Sequence, residues 1–175
     1  MFRNTIVFIP LLVMFTSFLG MTAANAQDPT CPYTLASLQG NYAIIGNYGS
    51  NLGMSLAVQT IDANGNFTRS AVVNGPTAGS TTVTTTTNTG TITVNCDGTG
   101  KFNRILTLAD GTMSTGVDDF IITNAIEKDG VLIATTIVDA QEIPSAVIPG
   151  GIFLTRVHTR LPDRPATQTN ASRAR

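Results

Sequence analysis

Short segments of alternating apolar and polar residues, separated by tight-turn dipeptides, determine what residues 40–161 can fold into. Threonine fills 25 positions after Ala26, and valine and isoleucine supply most of the apolar ones. These β-branched residues lose rotamer freedom in a helix but pack well on a pleated sheet. No window in this region has the apolar spacing of an amphipathic helix. The pattern therefore predicts an all-β domain.

The turns are marked by Asn64-Gly65, Asp97-Gly98, Asp110-Gly111 and Asp129-Gly130, whose residues tolerate the positive φ of tight turns. Nine strands are predicted around these and other breaks: 40–48, 54–61, 67–73, 81–87, 91–96, 101–108, 118–127, 131–139 and 151–160. Closure removes the unpaired edges of such a long meander, so an antiparallel barrel of about eight or nine strands is expected. A two-sheet β-sandwich is the alternative.

The first 26 residues have the composition of a secretory signal peptide. Arg3 precedes an apolar stretch from Ile6 to Leu19, and Ala24-Asn25-Ala26 supplies small residues for signal peptidase. The apolar stretch is shorter than the ~20 residues that a membrane-spanning helix needs. We therefore expect cleavage after Ala26 and a secreted or periplasmic protein that has no transmembrane segment afterwards.

The remaining chain is expected to form one domain with a short segment on either side. Residues 27–39 are a lead-in with a helical turn at 34–39, residues 40–161 form the barrel, and residues 162–175 form a flexible basic tail. Outside the last twenty residues the chain has no basic stripe, so nucleic acid is not expected as a partner.

Two cysteines are present, Cys31 and Cys96. In an oxidising compartment they are predicted to form a disulfide, with two free thiols as the alternative. The disulfide would close a loop of about 65 residues and contribute ~4 kcal/mol on the loop-entropy model. The two cysteines are not spaced as a C-x-x-C motif, so redox catalysis is not expected.

The string Leu38-Gln39-Gly40-Asn41-Tyr42 places a glycine two residues before an aromatic ring at the start of the first strand. It resembles the G-x-W motif with which lipocalin and calycin barrels begin, with tyrosine in place of tryptophan. The resemblance implies that Tyr42 closes one end of the barrel and that an arginine of the last strand packs across its ring. Arg156 is assigned this role, and Arg160 is the second candidate. Such a contact contributes ~0.5–2 kcal/mol.

A wider pattern resembles a group of uncharacterised secreted bacterial β proteins. The matching residues are Cys31, Leu38, Gly40, Tyr42, Asp62, Gly65, Asn66, Gly90 to Asn95 and Cys96. In that group an aspartate usually precedes the second cysteine, whereas here Asn95 precedes it and Asp97 follows it. The resemblance covers roughly residues 31–108. It supports the disulfide and the barrel and implies no activity.

The leading functional hypothesis is that the barrel binds a small hydrophobic ligand, because a barrel of this size has room for side chains or one small guest. No cofactor is expected, and the oligomeric state is left open. The residues predicted to face the ligand cavity are Tyr42, Ile44, Met54, Leu56, Val58, Phe67, Phe102, Leu106, Phe120, Ile122 and Phe153.

Two alternatives remain. One is a cofactor-free cyclase or isomerase that resembles allene oxide cyclase, which a buried ionisable residue such as Asp119, Glu127 or Arg104 would favour. The other is a filled barrel with a structural or interaction role. Insertion into an outer membrane is disfavoured, because the outward positions are rich in threonine and asparagine.

The chain offers no recognisable catalytic or metal-binding motif, and no catalytic residue is assigned. His158 is the only histidine, so it is interpreted as an ordinary strand residue that shares a face with Arg156 and Arg160. Asp118 and Asp119 are neighbours in a strand and are expected on opposite faces. A surface or loop-end role is favoured for each, and a role as a cavity acid is the alternative for either one. The threonine-rich run 81–87 is predicted to be an exposed edge strand.

Overall fold

The structure, a computed structural model, describes residues 31–47, 53–77, 80–143 and 153–163. These residues form α1 (Leu35–Leu38), β1 (Gly40–Asn47), β2 (Met54–Ile61), β3 (Asn66–Thr77), β4 (Ser80–Val94), β5 (Thr99–Leu108), β6 (Met113–Lys128), β7 (Val131–Gln141) and β8 (Thr155–Arg160). Each strand pairs antiparallel with the next, and β8 pairs with β1. The all-β class and the closed barrel are therefore confirmed, and the sandwich alternative is wrong.

Several sequence predictions lie outside the described residues. They are the signal peptide of residues 1–26, the first two residues of the strand predicted over 151–160, and the tail from residue 164 onward. Among the residues that are described, no helix is long and apolar enough to cross a bilayer.

Two of the nine predicted strands are one continuous strand, β4. The break that was predicted near Gly90 does not occur, because this glycine permits close strand approach instead of a turn. A Cβ atom there would lie 1.9 Å from the carbonyl oxygen of Asn103 on β5. Residues 86–91 of β4 pair with both β3 and β5, so Thr86 and Thr87 do not lie on an exposed edge. Residues 80–85 pair with β3 alone.

The predicted turn chemistry holds at the ends of the hairpins. Gly65 and Gly98 have φ of +78° and +86°, in the left-handed region that favours glycine. The carboxylate of Asp62 accepts hydrogen bonds from the backbone amides of Asn64 and Asn66 at 2.9 and 2.8 Å. These local bonds set the β2–β3 turn and hence the register of both strands.

One end of the barrel, here called the closed end, is covered by α1 and the predicted disulfide. Cys31 and Cys96 are bonded, which ties the lead-in to the turn between β4 and β5. Leu38 of α1 is fully buried, and α1 packs against β7 and β4. The apolar core lies directly beneath: Leu38, Tyr42, Ile61, Phe67, Ile92, Phe102, Phe120, Ile122, Ala134 and Ile137.

Strand β2 faces the opposite way from the prediction. Its apolar alternation, Met54, Leu56 and Val58, is 55%, 61% and 53% exposed on the outside of the barrel. The buried positions of β2 are instead Ser55, Gln59 and Ile61. A one-residue shift of register exchanges the two faces of a strand, so alternation alone does not identify the inner face. Here the polar set turns inward because Gln59 has a buried polar partner on β3.

Candidate functional site

Among the described residues, six ionisable side chains lie inside the barrel, in the layer beyond the apolar core. This charge cluster consists of Arg69 (β3), Arg104 (β5), Asp118 (β6), Asp139 (β7), and Arg156 and His158 (β8), each of them buried. Five neighbouring or facing strands therefore each send at least one charged group inward. Charged residues are almost never fully buried unless they are paired, so each member needs an identified partner.

Most members of the charge cluster have a partner. Arg104 Nε donates to the Asp118 carboxylate at 2.9 Å, and Arg156 Nη2 contacts the same carboxylate. Arg156 Nε donates to Asp139 at 2.8 Å. Arg156 thus bridges the two aspartates across the barrel. Removing one partner of such a buried pair would leave an uncompensated charge.

Asp139 also binds His158, whose Nε2 lies 2.8 Å from Asp139 Oδ2. Burial alone raises the pKa of Asp139, but Arg156 and the hydrogen bond with His158 together hold it well below its ordinary value. Burial lowers the pKa of His158, against the opposing effect of Asp139. His158 is therefore neutral at pH 7 and donates its Nε2 proton, because a carboxylate can only accept. Its ring stacks on Phe102 with centroids 5.4 Å apart.

Three nitrogens of the charge cluster are buried without a hydrogen-bond partner among the described residues: Arg69 Nη2, Arg156 Nη2 and His158 Nδ1. Arg156 Nη2 still contacts the Asp118 carboxylate, whereas no carboxylate among these residues forms an ion pair with Arg69. Arg69 Nε donates to Gln59 Oε1 at 2.8 Å. Burial, and after it the positive charge of Arg156, lowers the pKa of Arg69 to about 9. Arg69 is still protonated at pH 7. Since His158 is neutral, three arginines face two aspartates, and the interior carries one excess positive charge.

A cavity of about 30 Å³ adjoins the charge cluster on the side away from the closed end. Arg69, Arg104 and Arg156 contribute to its wall together with Asn88 and Gln141. The rest of the lining consists of small or apolar side chains: Ile44, Ser55, Ala57, Ala71, Val73, Thr86, Leu106 and Leu154. This volume has room for about two water molecules or for one acid group.

The predicted cavity residues are distributed over three places. Ile44 and Leu106 line the cavity. A second group belongs to the apolar core at the closed end: Tyr42, Phe67, Phe102, Phe120 and Ile122. The third group points outward and was assigned wrongly: Met54, Leu56, Val58 and Phe153. Phe153 is 56% exposed because its neighbour Leu154 takes the inward position.

The arginine over Tyr42 is Arg160, so the assignment of Arg156 to this role is wrong and the second candidate is correct. The Arg160 guanidinium carbon lies 5.7 Å from the Tyr42 ring centre, and its Nη1 donates to the phenolic oxygen at 3.2 Å. The cause is register, since Tyr42 of β1 is directly opposite Arg160 of β8. Arg156 lies farther inside and is used by the charge cluster.

Of the three ionisable residues that were considered for the cavity, only Arg104 faces inward. Asp119 lies outside and pairs with Lys101 at 2.8 Å, and Glu127 is also exposed. Asp118 and Asp119 do occupy opposite faces, as expected. The expectation of a surface role for Asp118 is wrong, because it is fully buried with Arg104.

Four interior residues were not predicted from the sequence: Arg69, Asp118, Asp139 and Gln141. A signal was present, because Phe67, Arg69 and Ala71 follow one another at a spacing of two, as do Phe102, Arg104 and Leu106. A charge between two inward apolar residues of one strand shares their face. Histidine, cysteine, aspartate and glutamate form no group of three that is placed to hold a metal ion in the described ranges.

Neither models of known protein families nor the sequences of curated proteins match this chain. The chemistry of the site is therefore inferred from its own geometry. That geometry is a mostly paired ion cluster in which one guanidinium, that of Arg69, has no ion pair among the described residues and lies beside a small cavity.

Proposed function

We propose that this protein is a binding protein whose barrel takes up one small ligand with an acidic group. The observation that carries the proposal is Arg69, a buried guanidinium at the cavity with no hydrogen-bond partner on Nη2 among the described residues. A carboxylate at this point would accept charge-assisted hydrogen bonds and neutralise the excess positive charge.

The energetics favour a ligand over a purely structural role for Arg69. An unsatisfied buried polar group costs ~1–3 kcal/mol, and more when it is charged. A filled structural barrel would be more stable with an apolar side chain at position 69. Perturbed, incompletely paired charges in concave sites are typical of functional residues.

The lining limits the ligand to a small amphiphile. Polar walls surround the acid group, whereas Ile44, Leu106 and Leu154 offer apolar surface to a short hydrocarbon part. A cavity of about 30 Å³ accommodates the acid group alone without rearrangement of the lining. The hypothesis of a hydrophobic ligand is therefore narrowed to short-chain carboxylates, whose chain would extend away from the closed end.

The binding experiment compares short carboxylic acids with uncharged analogues. Straight-chain carboxylates of about two to eight carbons and the matching primary amides are titrated into the full mature protein, with the melting temperature and heat of binding as readouts. Carboxylates are expected to raise the melting temperature and amides are not. At about 100 times Kd, binding stabilises the fold by ~2.7 kcal/mol.

The matched variants are Arg69→Met and Lys101→Met. Arg69→Met is expected to abolish the carboxylate effect, whereas Lys101→Met removes an exposed cation and leaves it intact. Equal stabilisation by acids and amides would contradict recognition through Arg69. No stabilisation by any acid at about 10 mM would favour the filled barrel instead.

We further propose that the protein works outside the cytoplasm. The composition of residues 1–26 and the Cys31–Cys96 disulfide support this location, because structural disulfides persist in oxidising compartments. Intact mass measurement of the full chain after expression in a bacterium with a periplasm tests it. We expect an exported product that begins at Gln27 and has no free thiol. A cytoplasmic product that retains Met1 would contradict the proposal.

A further inference from the structure

The outside of the barrel has a continuous apolar surface on strands β8, β1, β2 and β3. The side chains of this outer apolar face are between 43% and 61% exposed: Ile45, Met54, Leu56, Val58, Val72 and Val157. It includes the three residues of β2 that the sequence pattern placed inside. Single exposed apolar residues need no explanation, but contiguous patches of a few hundred Å² mark interaction sites.

Strand register aligns the centre of this face into one row. Val157 lies opposite Ile45, Ile45 opposite Leu56, and Leu56 opposite Val72. Directly opposed side chains on adjacent strands are close neighbours, so the row is an uninterrupted apolar ridge across four strands. Val138 of β7 continues it, because it lies opposite Val157.

The same four strands carry no charge on their outer side. Among the described residues of β8, β1 and β2 and residues 66–74 of β3, the other outward positions are threonine, asparagine, serine or alanine. Their charged side chains point inward, as Arg69 and Arg156 do. The outside of β5 and β6 differs, because Lys101 and Asp119 form an ion pair there.

We propose that two copies of this chain associate through the outer apolar face, about a twofold axis. A twofold interface brings the same surface into contact with itself, so a charge on it would meet or approach its own copy. A face with apolar side chains and no charge is self-complementary in this sense. Its apolar ridge is removed from water when the two copies meet.

The dimensions of the face agree with a dimer of moderate affinity. Four strands of about eight residues cover ~19 by ~26 Å, or roughly 500 Å². Specific interfaces use ~600–1,000 Å² from each partner, so the face approaches the lower end of this range. We therefore expect a dissociation constant in the micromolar range.

The absence of charge on the outer apolar face argues against two other binding partners, a membrane surface and the chain's own arginine-containing tail. The outer apolar face has no lysine or arginine to attract anionic lipid headgroups, which disfavours a membrane surface. The tail that follows Asp163 carries three arginines, and the face offers them no carboxylate. A second copy of the outer apolar face needs no oppositely charged residue on this surface, so it is the partner that the face fits best.

Sedimentation velocity of the full mature protein between about 1 and 500 µM tests the proposal, a range that brackets the expected micromolar constant. The wild type is expected to change from monomer to dimer within this range. Leu56→Glu is expected to raise the dissociation constant at least about 100-fold, because the interface would then contain two unpaired charges. The milder Leu56→Thr, which introduces a β-branched residue suited to a strand, is expected to raise it about tenfold.

The control is Ile105→Glu, an outward isoleucine of β5 that lies beyond the outer apolar face and is 39% exposed. This variant is expected to dimerise as the wild type does. A wild type that stays monomeric throughout, or an equal loss in the control, would contradict the proposal. Flotation of the wild type with vesicles of phosphatidylcholine and phosphatidylglycerol would identify a membrane partner instead.

Discussion

At the closed end of the barrel the interior is filled by aromatic rings, whereas the next layer is filled by arginines and aspartates. The ring centre of Phe102 lies 5.5 Å from that of Phe67 and 4.8 Å from that of Phe120. In the charge cluster, two carboxylates pair with Arg104 and Arg156, and Arg69 keeps an unsatisfied nitrogen. The two regions are formed by the same strands, but their side chains differ in how much they contribute to the free energy of unfolding.

Burial of a large apolar side chain stabilises a fold by ~1.5–3 kcal/mol. A buried ion pair often contributes nothing net, because desolvation offsets the attraction between the charges. The aromatic region therefore supplies most of the stabilisation, whereas the charge cluster contributes little net stability, as expected if its role is the proposed binding of an acid group. Five measurements test this division, beginning with the largest expected effect.

Phe102→Ala should destabilise the protein most. Phe102 is fully buried and contacts both rings and His158, so its truncation should lower the free energy of unfolding by ~3–5 kcal/mol. Urea denaturation measures the change. Ile105→Ala, three residues along the same strand but outward, is the control and should cost less than ~1 kcal/mol. Similar losses in the two variants would contradict a tightly packed closed end.

Asp139→Asn should be the next largest change. It removes the charge that faces Arg156 while keeping the size of the side chain, and should cost ~3 kcal/mol by the same measurement. Asp119→Asn provides the matched control, because that exposed pair with Lys101 is worth at most ~1 kcal/mol. A loss below ~1 kcal/mol at position 139 would indicate that the charge cluster is hydrated.

The stability should fall as the pH is lowered below the ordinary pKa of histidine. Burial lowers the pKa of His158 in the folded state, so below pH ~6.5 the unfolded chain takes up a proton that the folded protein does not. Stability is therefore expected to decrease as the pH is lowered from ~6.5 towards the folded-state pKa, measured by urea denaturation at each pH. His158→Gln should remove this dependence. An unchanged slope in the variant would assign the titration to another group.

The depressed pKa of Asp139 acts at lower pH and in the same direction. Its stabilising effect is complete above the unfolded-state value of ~3.9 and is lost progressively as the pH falls below it. Acid unfolding curves of the wild type and Asp139→Asn, which cannot titrate, should therefore converge below pH ~3.9.

Arg69→Met should have the smallest effect, and its sign should be opposite. Loss of an incompletely paired buried cation should raise the free energy of unfolding by ~1 kcal/mol, since methionine fills a similar volume. A variant that is more stable and fails to bind carboxylates would separate the two roles within one residue. Destabilisation by more than ~1 kcal/mol would mean that Arg69 is a structural member of the charge cluster.

The general architecture was accessible from sequence because it rests on local chemistry. Turn pairs such as Asn64-Gly65 and Asp97-Gly98 fix where the chain reverses, and threonine-rich alternation fixes the strand class. The inner face of β2 was not accessible in this way. It depends on Gln59 meeting Arg69, a contact between strands that alternation within one strand does not contain.

The candidate site was predicted less well for a related reason. Arg104 was named, but Arg156 was assigned to Tyr42 because the offset between β1 and β8 was unknown. Asp118 was expected on the surface, since most aspartates are exposed and its arginine partners are distant in sequence. Charged side chains inside a barrel pair with residues of other strands, and these strands come together only when the barrel has closed in its final register.

The sulfur bond at the base of the barrel makes the final stage of folding depend on the chemistry of the surroundings. Leu38 fills the closed end of the barrel. The segment that carries it is linked by the disulfide of Cys31 to Cys96, 65 residues away in the turn between β4 and β5. Where the thiols stay reduced, packing alone holds the lead-in and α1 against the barrel, so this segment detaches more readily. We therefore expect the closed end to remain incompletely packed in a reducing environment and to become stably covered only after the disulfide has formed.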